Sequence, residues 1–354
     1  MRSLFSSCVL VASSFVALPA LADPGPSGPI QGVVLQDLGF QSDVSALSGH
    51  RAVGNCTDAD GNPHAAMWDL RHPGDAPVAL AETSAAAVSR QSQALSIDGR
   101  WAVGGEVAFD ESWEASVSAL LWDVQSPGAA PVKLPWDGPQ AVANAVHGTY
   151  IVGGGIDAEG AYHALLWDLK KPWKAPRELT TTGPAQPTAV GSSFATGALA
   201  DENGGFSPLF WDVRHPQEDP IALSFGGGPS AVANATSGRW AGGYGVTDAG
   251  LATALLWDLH RPERAPMVLP GLADGALALG MDEHHIVGAG ADLAEDIPGA
   301  GLLWDVQHPD RAPTLLAIDD HLTFAVAVDG PRAGGSAQSL DDYARHAAYW
   351  DLND

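Results

Sequence analysis

The residues with most chemistry to offer lie in short acidic stretches that also carry aromatic rings. In "DESWE" (110–114) Trp113 stands among three carboxylates. "PWDG" (135–138) joins Trp136 to Asp137, Tyr162 follows "DAEGA" (157–161), and Phe225 opens onto a glycine run. Rings beside carboxylates can stack on sugars or hold a cation over the π face. Aromatic anchors also dominate protein-binding patches. Asp137, with Asp319, Asp320 and His321, could instead serve acid–base catalysis. Asn144, Thr188 and Asn234 are polar exceptions in apolar runs and could line a channel. Two chemistries are open: a binding surface for a protein or glycan, and a hydrolase or lyase at a channel mouth.

Metal chemistry finds less support. "DADGN" (58–62) invites a calcium reading, but an EF-hand needs glycine at its sixth position and Gly61 is fourth. "MDEHH" (281–285) groups two carboxylates with His284 and His285. Neighbours on a strand face opposite ways, so a polar turn is expected there and no metal site is assigned. No cofactor is expected unless calcium sits between acidic loops. Spacing alone assembles no Ser-His-Asp or Cys-His set.

The elements that position these residues start after a leader. "MRSLFSSCVLVASSFVALPALA" (1–22) has one arginine, an apolar run and an Ala20-Leu21-Ala22 cleavage pattern, so it reads as a secretory signal cut before Asp23. Secretion or a periplasmic location follows. Residues 23–354 are then one domain, and Cys56 is its one cysteine, expected to be buried. The formal charge is −25, which makes nucleic acid and anionic membrane poor partners. The leader's apolar run is too short and too interrupted to span a bilayer, and no other stretch approaches one.

Trp-Asp recurs at Trp68, Trp122, Trp167, Trp211, Trp257, Trp304 and Trp350, spaced 54, 45, 44, 46, 47 and 46. A period in the forties means stacked supersecondary units. Each Trp ends a short apolar run such as "ALLW". In six copies a proline follows at five positions (Pro172, for example), a second at nine (Pro176) and a leucine at twelve (Leu179). Each unit reads as four strands: a small Ala-rich strand a, a strand b ending in "VGG", the Trp-bearing strand c, and a short strand d opened by the second proline. The glycines read as kinks or bulges at a blade end. The last unit stops at "YWDLND" without a strand d, and "GVVLQDLG" (32–39) looks like a strand d without a strand c. One missing and one spare strand imply a closed ring. The expected fold is all-β, a seven-bladed β-propeller closed by residues 33–38 pairing with the strand that ends at Trp350.

The Trp-Asp period resembles the WD-repeat propellers, although their Gly-His pair does not recur. The order "LG…A.AVS.DGR.VVGG…HALLWDL" is closer to the HAF-type extracellular repeats. That resemblance spans about Gly32 to Asp354 and implies an exported propeller, with no catalytic signature to carry over. In such a disc the b–c and d–a loops share one face. That face collects Asp58, Asp110, Glu111, Glu114, Asp157 and Asp201 with Trp113, Trp136, Tyr162 and Phe225, while the c–d loops hold Lys170, Lys171, Lys174 and several arginines. Segregation by sign points to an acidic, aromatic-bearing face that binds a protein or glycan.

Overall fold

The computed structural model describes residues 28–83, 87–225, 228–292 and 297–353, so the expected leader at 1–22 lies outside the described residues. Strands a to d of blade 3 show the unit: Gln140–His147, Tyr150–Ile156, Tyr162–Asp168 and Arg177–Glu178, paired antiparallel in order. Among the described residues seven such meanders follow one another. The seventh has His321–Asp329, Arg332–Ser339 and Arg345–Asp351, and its fourth strand is Ile30–Val34 from the N-terminus. Gly32 lies opposite Trp350, Val33 opposite Tyr349 and Val34 opposite Ala348. The strand therefore begins earlier than the expected 33–38, and Leu35 continues it with one bond to the Ala347 carbonyl. Each strand a touches the strand a of the next blade, and that of blade 7 touches that of blade 1. The chain is a closed, all-β propeller.

The Trp-Asp pair has two separate jobs. All seven indoles are at most 2 % exposed. Each donates its N–H to a carbonyl just ahead of its own blade, at 2.6–3.1 Å: Gln36, Ala81, Pro135, Thr180, Ser224 and Pro270 in the entry linkers, and Ala317 at the end of the preceding strand d. A buried donor is thus satisfied, and the chain entering each blade is tied to it. The following Asp turns its Oδ1 on the amide two residues ahead, as Lys170 N to Asp168 shows at 2.9 Å, and the same bond closes the other six turns. This Asx turn reverses the chain, and the prolines then fix φ where no ladder donor is needed. Strand d is two residues long in five blades, an edge too short to recruit another chain.

The repeated glycine corrects the sequence expectation. The bulge lies in strand a, not in strand b. Every strand a shifts register once, between Ala143 and Ala145 in blade 3. The shift pushes a carbonyl onto strand b. A Cβ on Gly153 would sit 2.0 Å from the Val142 oxygen, and the equivalent Gly54, Gly104, Gly197, Gly243, Gly288 and Gly335 meet the same obstacle. Cys56 is buried and unpaired as expected, and burial pushes its thiol up to about 12.

Candidate functional site: the acidic face

The b–c hairpins and d–a linkers emerge at one end of the disc, the a–b and c–d turns at the other. Among the described residues, the Lys and Arg at the first end are Arg90 and Arg345. Its b–c loops are built alike. Asp58, Asp110, Asp157 and Asp201 each fold the loop by accepting amides with Oδ1. The residue before the loop closes adopts left-handed φ: Gly61, Gly160, Gly204 and Gly250 at +81° to +89°. Glycine suits that position because it has no Cβ to clash.

Two blades break this rule. Trp113 (φ 59°) and Tyr343 (φ 60°) hold the left-handed place in blades 2 and 7. Each costs roughly 1–2 kcal/mol of backbone strain, and their rings are not buried in return, being 66 % and 59 % exposed. Phe40, in the linker between blades 7 and 1, is 68 % exposed. Blade 2 also reaches further than its neighbours. Its hairpin strands Trp101–Phe109 and Ala115–Asp123 have nine residues each against seven in blades 1, 3, 4 and 5, lifting the tip by about 7 Å. The spacing of 54 before Trp122 reflects this longer hairpin and a longer entry linker.

The other expected site residues are more firmly tied to the scaffold. Trp136 donates to the Ile156 carbonyl at 3.1 Å, and its ring lies 5.2 Å from the His163 ring. Tyr162 covers Gly154, where any Cβ would strike its hydroxyl. Asp137 is exposed beside Trp136. These residues share blade 3, whereas Trp113 belongs to blade 2 and Phe225 packs against the core of blade 5. Asn144, Thr188 and Asn234 are the bulge residues. They donate to the carbonyls of Pro187, Ala233 and Ala278 in the next blade, which ties the inner strands together. His321 is turned back onto the Asp319 carbonyl at 2.7 Å, so those residues form the turn into blade 7.

Two histidines went unnoticed in the sequence. His64 places Nε2 2.9 Å from Asp58 and Nδ1 2.9 Å from Glu82; His163 repeats this with Asp157 and Glu178 at 2.9 and 3.0 Å. Carboxylates only accept, so the geometry favours the imidazolium, in which both ring nitrogens donate. The signal was there: His stands four residues before Trp in three of the seven copies, the third being His346, 2.9 Å from Asp37. The carboxylates flank opposite sides of the ring and cannot chelate one ion with it. Among the described residues no three His, Cys, Asp or Glu converge for a metal. His163 also lines a cleft of about 290 Å³ with Tyr162, Glu178, Thr180, Thr181 and Gln217. Asp43, on the inner strand of blade 1, was missed as well. Burial raises its carboxyl pKa against the pull of Arg345 and Asn55.

These ion pairs have a pH signature. Burial opposes charging His64, but Asp58 and Glu82 outweigh it and raise its pKa; for His163 the bond to Asp157 is the largest influence and also raises it. A group raised in the folded state stabilises fully below its unfolded pKa of about 6.5, and that stabilisation fades as pH rises through the folded value. Denaturant melts taken from pH 6 to pH 9 should therefore show falling stability. The double variant His64→Gln, His163→Gln should start lower and lose most of that slope. An unchanged slope would remove the imidazolium assignment.

No protein-family model matches the chain, and no curated protein does. Solved structures match by shape. The β-propeller domain of the Trilobed protease from Pyrococcus furiosus superposes with a TM-score of 0.62 at 11 % identity, covering 88 % of this chain and 95 % of that one. A prolyl endopeptidase gives 0.57 at 14 % identity, over 89 % and 51 %. A puromycin-hydrolyzing peptidase from Mycobacterium tuberculosis gives 0.54 at 15 %, over 95 % and 55 %. The chain spans about half the length of these last two. At such identities the likeness speaks for the propeller fold alone.

Proposed function

We propose that the chain is an exported binding module, secreted or periplasmic, whose acidic face takes a cationic segment of a protein. The leader at 1–22 and the HAF-like order of the repeat support export. The observation that carries the binding role is Trp113. A large ring stands, strained and exposed, at the tip of the longest b–c hairpin, at a position glycine would fill at lower energy. Its one ring partner among the described residues is Phe109, centroids 6.0 Å apart, and that tilted contact leaves most of the indole in solvent; strain kept for so little burial is expected where a side chain works on a ligand. Asp110, Glu111 and Glu114 around it favour Lys and Arg, drawn in by attraction that salt screens.

The test uses Trp113→Gly and a Lys/Arg-rich peptide. The variant should be at least as stable as wild type in denaturant melts, because relief of the strain offsets the lost Phe109 contact, yet bind the peptide at least about tenfold more weakly. Wild-type affinity should fall as ionic strength rises. A neutral oligosaccharide that binds through the rings, with no salt response, would move the reading to a glycan. Peptide binding that ignores Trp113→Gly would overturn it.

A further inference from the structure

The opposite face carries one feature that the repeat does not require. The c–d loop of blade 3 reads "KKPWKAP" (170–176), and at the place of Trp173 the other five loops have Gly74, Gly128, Gln217, Glu263 and Asp310. All six loops make the same turn bonds: Lys174 N to the Lys171 carbonyl at 2.9 Å corresponds to Asp75 to His72, Ala129 to Ser126, Glu218 to His215, Arg264 to Arg261 and Arg311 to His308. The indole is therefore surplus to the loop's conformation. It is also 71 % exposed, and it is the one exposed large apolar side chain in the a–b and c–d turns among the described residues. Lys170, Lys171 and Lys174 surround it in sequence and are exposed. Arg71 and Arg214, which correspond to Lys170, pair with Asp69 and Asp212. The three lysines make no such pair among the described residues.

We infer that this loop is a docking tip for an anionic lipid surface. Trp113 shares its face with the exposed rings of Phe40 and Tyr343, whereas Trp173 stands alone among the described turns of its face, too little apolar surface for the centre of a protein interface, which buries about 800 Å² per partner around several anchors. It suits the headgroup zone of a bilayer, where tryptophan settles with its apolar body inward and lysines reach the phosphates. The formal charge of −25 argues against an anionic surface for the molecule as a whole. The blade 3 loop itself is locally positive, with Lys170, Lys171, Lys174 and Arg177 against Asp168 and Glu178. Strands of seven to nine residues hold the acidic face about 25 Å from the c–d turns, roughly three Debye lengths at physiological salt.

Cosedimentation with vesicles tests this. The protein should pellet with vesicles of phosphatidylglycerol in phosphatidylcholine, not with phosphatidylcholine alone, and less as salt is added. Trp173→Gly should weaken partitioning at least about tenfold. Each Lys→Gln change at 170, 171 or 174 should weaken it about fivefold. These variants should fold normally, since other blades tolerate Gly and Gln in the same loop; melts check this. Trp113→Gly, on the far face, should pellet like wild type. Failure of the wild-type protein to pellet with the anionic vesicles, or pelleting indifferent to Trp173→Gly, would overturn the inference. The latter outcome would leave the loop to an acidic protein.

Discussion

A chain lacking residues 28–35 is expected to lose cooperative folding and aggregate. Those residues supply the outer strand of blade 7. Gly32, Val33 and Val34 pair with Trp350, Tyr349 and Ala348, Ile30 and Gln31 bridge to Leu316 and Ala317 of blade 6, and Leu35 is 2 % exposed in the blade 1 core. Burial of Ile30, Val34 and Leu35 contributes about 5 kcal/mol, as much as many domains have in total. The deletion also bares the Arg345–Asp351 strand along its length, and a long unpaired edge invites other chains. Size-exclusion chromatography and thermal melts decide the matter. A monomer melting as wild type would refute closure by this strand. A milder version is Gly32→Val, whose Cβ would lie within 2.8 Å of three atoms of the Trp350 indole.

The second large effect separates two kinds of glycine. Gly153→Ala should cost about 3–5 kcal/mol, because the new Cβ meets backbone, the Val142 oxygen at 2.0 Å and Ala143 Cα at 2.9 Å, and neither can rotate away. Gly160→Ala changes the same atoms seven residues on, in open space at φ +89°. It should cost only the left-handed penalty of about 1–2 kcal/mol. Urea melts of the two variants give the comparison directly. Equal costs would mean that the bulge in strand a yields and is not a fixed element of the blade.

The sequence by itself determined the periodic part of this protein. Seven Trp-Asp pairs, the two prolines and the unmatched strands at either end follow from chain-local rules: an apolar strand, an Asx turn, a φ-fixed loop, an edge. Such rules repeat with the period, so they can be read from one line of residues. The buried Cys56 and the all-β class were legible for the same reason. What the tertiary structure decided depends on contacts between blades. Trp136 and Trp113 look equivalent as rings beside carboxylates, yet one spends its N–H on Ile156 and the other stands strained in solvent. Asn144, Thr188 and Asn234 look like channel polars, yet they donate to carbonyls about 45 residues away, in the next blade. The glycine of strand b was visible, but the carbonyl that demands it comes from a register shift in another strand. His64 needed Glu82, eighteen residues on, to become a cation. Strand pairing and blade packing bring such partners together, and their sequence separation varies with each loop, so no fixed spacing announces them.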